Sequence, residues 1–134
     1  MLVRLLIAAF LLAHAAIHAG FVSKRPPAKP GAPPWPFDLG RSWLLVRLRV
    51  PGGAVRVLGL GLVASTIGGY ALAALVTLGI LPASAWGATV SVASIASLVL
   101  LVVGFHPWLV VGVAIDVLLL WVAQVADWTP DLLD

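Results

Sequence analysis

The sequence contains no cysteine and no glutamate, and only 10% of its 134 residues are charged. The lack of cysteine excludes disulfides, thiolate metal sites and thiol nucleophiles. Without glutamate, carboxylate chemistry falls to five aspartates, of which only Asp116 lies inside a long apolar run. A soluble domain carries roughly 25% charged and 45–50% apolar residues. Here 62% of the residues are hydrophobic and the mean hydropathy is +1.13, so water is excluded as the main solvent. Four membrane spans of about 20 residues each would consume more than half of the chain, leaving one modest loop and no extramembrane domain. The expectation is a single all-α transmembrane domain over residues 1–134: a four-helix bundle with a short interfacial helix in its first connection.

The first apolar run, residues 2–22, is interrupted only by Arg4, His14 and His18. Arg4 and the small-x-small Ala13-His14-Ala15 permit a signal-peptide reading. The run, however, is long enough to cross a bilayer at about 1.5 Å per residue, so a retained first span is expected. A proline-rich, basic connector follows over residues 23–56. Six of the ten prolines fall between Lys24 and Pro36, where polyproline II is favoured. Beyond it, Asp38 can cap a helix, Trp43, Leu44, Leu45 and Leu48 can face lipid, and Arg41, Arg47 and Arg49 can face phosphate. The rival is a strand over residues 46–50, with its period of two, before a Pro51-Gly52-Gly53 turn.

The second span is expected over residues 57–81, ended by Pro82. Gly61, Ser65, Gly69 and Ala73 repeat every fourth position and make a groove for a close helix neighbour. Ser84 is a candidate N-cap for the third span, residues 85–103. The hydroxyls of Ser91, Ser94 and Ser97 in that span can bond carbonyls one turn back. Pro107 suits the first turn of the fourth span, residues 107–126, which carries Asp116 and Gln124. Asp127, Asp131 and Asp134 form an acidic tail.

Seven of the eight Lys and Arg residues lie between Lys24 and Arg56, while the second and third connections have none. The positive-inside rule therefore puts the first connection in the cytoplasm and both termini outside, in a bacterial-type cytoplasmic (inner) membrane. Arg4 argues mildly against this. The same confinement explains the pI near 10.2 by topology and lipid headgroup contact, without nucleic acid.

Four residues carry the candidate chemistry. His14 and His18 stand four apart on one helix face. Counted from the membrane face shared by the end of the first span and the start of the fourth, His14 lies roughly 12 Å deep, Asp116 roughly 13 Å and His18 roughly 6 Å. His106 marks the interface. If the first and fourth spans are neighbours, these residues form a ladder towards the midplane. A carboxylate near the bilayer centre costs about 2.5–3.5 kcal/mol, which makes Asp116 a functional candidate by default. One reading is interhelical glue. Another is a polar pocket for a small ligand or for proton exchange near neutral pH. Two histidines and one carboxylate also match a metal set, but no second acidic residue lies at that depth, so no metal is assigned. A catalytic serine is poorly supported, because the third span has no Gly-x-Ser-x-Gly elbow.

The His-x-x-x-His of the first span, Ser-Trp-Leu-Leu-x-Arg-Leu at Ser42 to Leu48, the small-residue second span and Val113-Ala114-Ile115-Asp116-Val117 together resemble the small four-helix bacterial membrane proteins loosely grouped as DoxX-like. The resemblance implies a four-helix fold. Many members of that group have no assigned activity, and some are discussed in connection with quinone or thiosulfate oxidation. The expected function is a non-enzymatic packing or accessory subunit, with membrane lipids and a second copy or a larger membrane complex as partners. The alternative is a redox-linked subunit that binds quinone or another lipophilic molecule.

Overall fold

Each long apolar run becomes a helix, the form in which a single chain segment satisfies its own backbone groups in hydrocarbon. The computed structural model describes every residue except 25, 26, 28, 29, 32–34, 127 and 134, together with the Arg41 side chain. The polyproline reading at Pro33-Pro34, the phosphate-facing role of Arg41, and Asp127 and Asp134 of the acidic tail lie outside the described residues. The elements are α1 (Leu2–His18), α2 (Trp43–Arg47), α3 (Gly52–Thr77), α4 (Trp86–Val103) and α5 (Val110–Gln124). Short 3-10 turns extend α1 at Ala19–Phe21, precede α4 at Ala83–Ala85 and precede α5 at Pro107–Leu109. With these turns included, four segments are long and apolar enough to cross a membrane: Leu2–Phe21, Gly52–Thr77, Ala83–Val103 and Pro107–Gln124. They pack in chain order, α1 on α3, α3 on α4 and α4 on α5.

Helix α3 starts and stops earlier than residues 57–81. It begins directly after Pro51, whose carbonyl accepts the Val55 N–H at 3.1 Å. Its last residue is Thr77, and Gly79, not Pro82, closes it: with φ at +76°, Gly79 turns the chain left-handed, and Ile80 N–H returns to the Leu75 carbonyl at 3.0 Å. Glycine adopts that conformation at no steric cost, so the helix closes three residues before the proline. Ser84 does not cap α4; it sits exposed inside the 3-10 turn, and Ala85 precedes the helix without a side-chain cap.

The first connection is anchored on the end of α4. Ser42 accepts the Leu45 N–H at 3.1 Å, capping α2, and its hydroxyl donates to the Val103 carbonyl at 2.5 Å. Beside it, the Trp43 indole N–H donates to the Val102 carbonyl at 2.8 Å. The last carbonyls of any helix lack intrahelical donors, so these bonds fill a need built into α4. Asp38 caps as well, accepting the Gly40 N–H at 3.0 Å within the turn Leu39–Arg41. Residues 43–47 are helical and Arg49, at φ 51°, reverses the chain, so the strand over residues 46–50 does not form.

The apolar core sets Ala8, Leu11 and Ala15 of α1 against Ala73, Ala74 and Val76 of α3 and Val90 and Ala93 of α4, with the large rings of Tyr70 and Trp86 buried among these smaller side chains. A Cβ at Gly69 would come 2.8 Å from the Ala93 Cβ, which shows how closely α3 and α4 approach. Gly69 and Ala73 lie in this contact, whereas Gly61 and Ser65 face outward. The reason is geometric: a four-residue step advances about 40° around a helix, so the set does not stay on one face. At the opposite end of the bundle, Arg4 donates to the carbonyls of Thr77, at 3.4 Å, and Pro130, at 3.1 Å, joining α1 to the end of α3 and to the C-terminal segment. A cation there also complements the negative end of the α3 dipole.

Candidate functional site: a closed polar cluster between the spans

Helix α5 is apolar almost throughout, yet its only fully buried residue is Asp116. The inversion has a direct cause, since the carboxylate finds its partners only inside the bundle. Asp116 Oδ1 lies 2.9 Å from His14 Nε2 of α1 and accepts the Tyr70 hydroxyl of α3 at 2.6 Å. Its Oδ2 is hydrogen-bonded to the Ser97 hydroxyl of α4 at 2.5 Å. One side chain of the last span therefore bonds to all three others.

The cluster continues on both sides of the carboxylate. Tyr70 has one proton and directs it to Asp116, so the Ser94 hydroxyl, 2.9 Å away, donates to the Tyr70 oxygen. Ser97 Oγ is 2.7 Å from His18 Nε2, and His18 Nδ1 is 3.0 Å from the His14 carbonyl. The rings pack as well as bond: His14 meets His18 and Tyr70 edge-on, each at 5.1 Å between centroids. Exposure is 4% for His14, 1% for His18 and 0% for Asp116, Ser94, Ser97 and Tyr70. These six side chains form one buried, hydrogen-bonded network.

Three of the four ladder residues come together, and His106 does not. It is half-buried at the head of the turn into α5, accepts the Trp108 N–H at 3.3 Å and stands edge-on to the Trp108 ring. Both of these contacts lie within its own turn. Comparison of the chain with protein-family models, curated proteins and solved structures gives no match. What the cluster can do must therefore be argued from its own atoms.

Tyr70, Ser94 and Ser97 are absent from the candidates read in the sequence. The serine hydroxyls do not turn back to their own helix; that role falls to Thr77 and Thr89, which donate to the Ala73 and Ala85 carbonyls at 2.8 and 2.9 Å. Ser91 bonds outward too, accepting from Gln124 Nε2 at 2.6 Å. The available signal was the three-residue spacing of Ser91, Ser94 and Ser97. It places the three hydroxyls along neighbouring turns of α4, where Ser91 meets Gln124, Ser94 meets Tyr70 and Ser97 meets Asp116.

One ligand atom each from His14, His18 and Asp116 lies within 4.8 Å of the others, close enough for the three to converge on a cation. Such a set would have to displace Ser97, which occupies the space between His18 and the carboxylate. A separate cavity of about 540 Å³ lies at the first connection, lined by Phe21, Trp35, Phe37, Leu39, Val46 and Arg56 among others. Phe37 meets Phe21 and Trp35 edge-on at 5.2 and 5.4 Å, so its wall is aromatic on one side and cationic at Arg56.

Proposed function

We propose that this chain is a non-enzymatic packing or accessory subunit of a bacterial-type cytoplasmic membrane, held rigid by a polar intramembrane site and presenting its outer helical faces to a partner. The observation that carries this reading is Asp116, wholly buried and bonded to side chains of α1, α3 and α4, on a helix whose remaining surface is largely free. A carboxylate so placed fixes the rotation of α5 and leaves Val110, Val111, Val117, Leu118 and Trp121 directed outward. On α3, Gly61 and Gly68 have open space where a Cβ would stand, and Ser65 beside them is exposed. Small residues of this kind let another transmembrane helix approach closely. The basic connector faces the cytoplasm and both termini face outward in this reading, which rests on the placement of Lys and Arg. Kinship with the DoxX-like group is part of the same proposal, supported by the motifs quoted above.

Replacing Gly61 with leucine tests the partner face. The variant should migrate as a smaller species than the parent chain on native gels after mild detergent extraction, with helix content intact. Unchanged migration would sink the packing role of this face.

A second reading is favoured by the cavity at the first connection. Its volume, its aromatic wall and the polar edge offered by Arg56 and Asp38 suit a lipophilic ring with a polar rim, and a quinone is such a molecule. Organic extraction and mass spectrometry of protein purified in mild detergent should recover a stoichiometric quinone. An extract containing only phospholipid would remove this alternative.

A further inference from the structure

Five contacts define the inner cluster, and each needs one hydrogen. They are His14 Nε2 to Asp116 Oδ1, Tyr70 to Asp116 Oδ1, Ser97 to Asp116 Oδ2, Ser97 to His18 Nε2, and His18 Nδ1 to the His14 carbonyl. A carbonyl oxygen cannot donate, so His18 Nδ1 carries a hydrogen. Ser97 has one proton and two contacts, so a further proton must fill whichever contact Ser97 does not.

With the group neutral overall and the phenol of Tyr70 intact, two placements fill all five contacts. In the first, Asp116 is protonated on Oδ2 and donates to Ser97 Oγ, which donates to His18 Nε2. In the second, Ser97 donates to the Asp116 carboxylate and accepts from His18 Nε2–H, leaving His18 an imidazolium. Moving the acid proton to Oδ1 or to His14 leaves one of the two Ser97 contacts without a hydrogen. Removing it altogether empties one contact of the five.

We infer that Asp116, Ser97 and His18 form an intramembrane proton relay, in which one proton passes between the carboxyl of α5 and the imidazole of α1 through the Ser97 hydroxyl. In the forward step the Asp116 Oδ2–H bond breaks as a Ser97 Oγ–H bond forms, and the original Ser97 O–H bond breaks as His18 Nε2–H forms. No proton enters or leaves and no oxidant is needed. Three donors converge on the carboxylate in the second state, while the dry surroundings oppose separated charge, so the two states are held against each other by opposing terms. The relay goes beyond the packing role and stands without any partner. His14 and Tyr70 are positioning residues here: they hold Oδ1 and so leave Oδ2 for the mobile proton.

The test is magic-angle-spinning NMR of the full chain in lipid bilayers, with histidine labelled by ¹⁵N, alongside infrared spectroscopy of the Asp116 carboxyl. The relay predicts a His18 Nε2 shift averaged between the protonated and unprotonated extremes, moving with temperature while the carboxylic C=O band changes in step. Ser97→Ala should abolish the averaging at both ends, and Ser97→Thr, which keeps the hydroxyl, should restore it. A single temperature-independent state in the unmodified protein overturns the relay, even if Ser97→Ala fails to fold. So does averaging that persists in Ser97→Ala. Neither readout depends on native-gel migration, so the relay and the partner face stand or fall separately.

Discussion

His14 Nε2 and Asp116 Oδ1 lie 2.9 Å apart although 102 residues separate them, and this contact joins the first and last spans through side chains, their backbones packing mainly on other helices. The two helices meet where polar atoms reach across.

Coupling between Tyr70 and Asp116 is measurable. Tyr70→Phe removes the 2.6 Å bond, and Asp116→Asn alters its acceptor. A double-mutant cycle on thermal or denaturant unfolding in detergent should give a coupling energy of about 0.6 kcal/mol, with about 1.7 as the upper range for such contacts. Strictly additive losses would show that the bond contributes nothing to stability.

Gly69 and Gly61 should respond oppositely. At Gly69 a new methyl meets the Ala93 Cβ at 2.8 Å and its backbone at 3.2 Å, so Gly69→Ala should lower stability by roughly 1–3 kcal/mol through overpacking. At Gly61 nothing lies within 4 Å, and Gly61→Ala should leave the unfolding midpoint of the isolated chain unchanged or slightly raised. Equal midpoints for the two variants would contradict the close α3–α4 approach.

Ser42→Ala removes two bonds at once, the cap on Leu45 N–H and the donor to the Val103 carbonyl. Loss of an N-cap costs about 1 kcal/mol. The result should appear locally, as faster amide exchange across α2 and the last turn of α4 with the centre of the bundle unaffected. Protection unchanged in both places would show that the connector is held elsewhere.

Arg4→Gln should loosen the C-terminal segment, because the guanidinium bonds to the Pro130 carbonyl. Carboxypeptidase digestion of detergent-solubilised protein should remove the terminal residues several-fold faster than in the parent chain. An unaltered rate would mean that the edge-on contact of Trp86 and Trp128, with centroids 4.9 Å apart, suffices to hold this segment.

The four spans were legible because hydrocarbon leaves the backbone few choices, and the His14–Asp116 pairing followed from their shared depth once the first and fourth spans are taken as neighbours. Helix ends were less so. Pro82 is the obvious stop after α3, but Gly79 acts first because its left-handed turn satisfies carbonyls that Pro82 could not reach. Ser94 and Ser97 look locally satisfied in one dimension. Their cross-helix bonds exist only because α4 turns that face towards Tyr70, His18 and Asp116, a rotation that apolar periodicity does not specify in a helix apolar all round. Gly61 and Ser65 were grouped with Gly69 by spacing, and the 3.6-residue turn separates them.

The placement of Asp116 on the last span also sets a timetable for biogenesis. As the chain emerges from the ribosome, His14, Tyr70 and Ser97 enter the bilayer before the residue that joins them exists. A three-span intermediate therefore has its Ser97–His18 and Tyr70–Ser94 contacts within reach but lacks the carboxylate that His14, Tyr70 and Ser97 share, and arrival of α5 supplies those three bonds together.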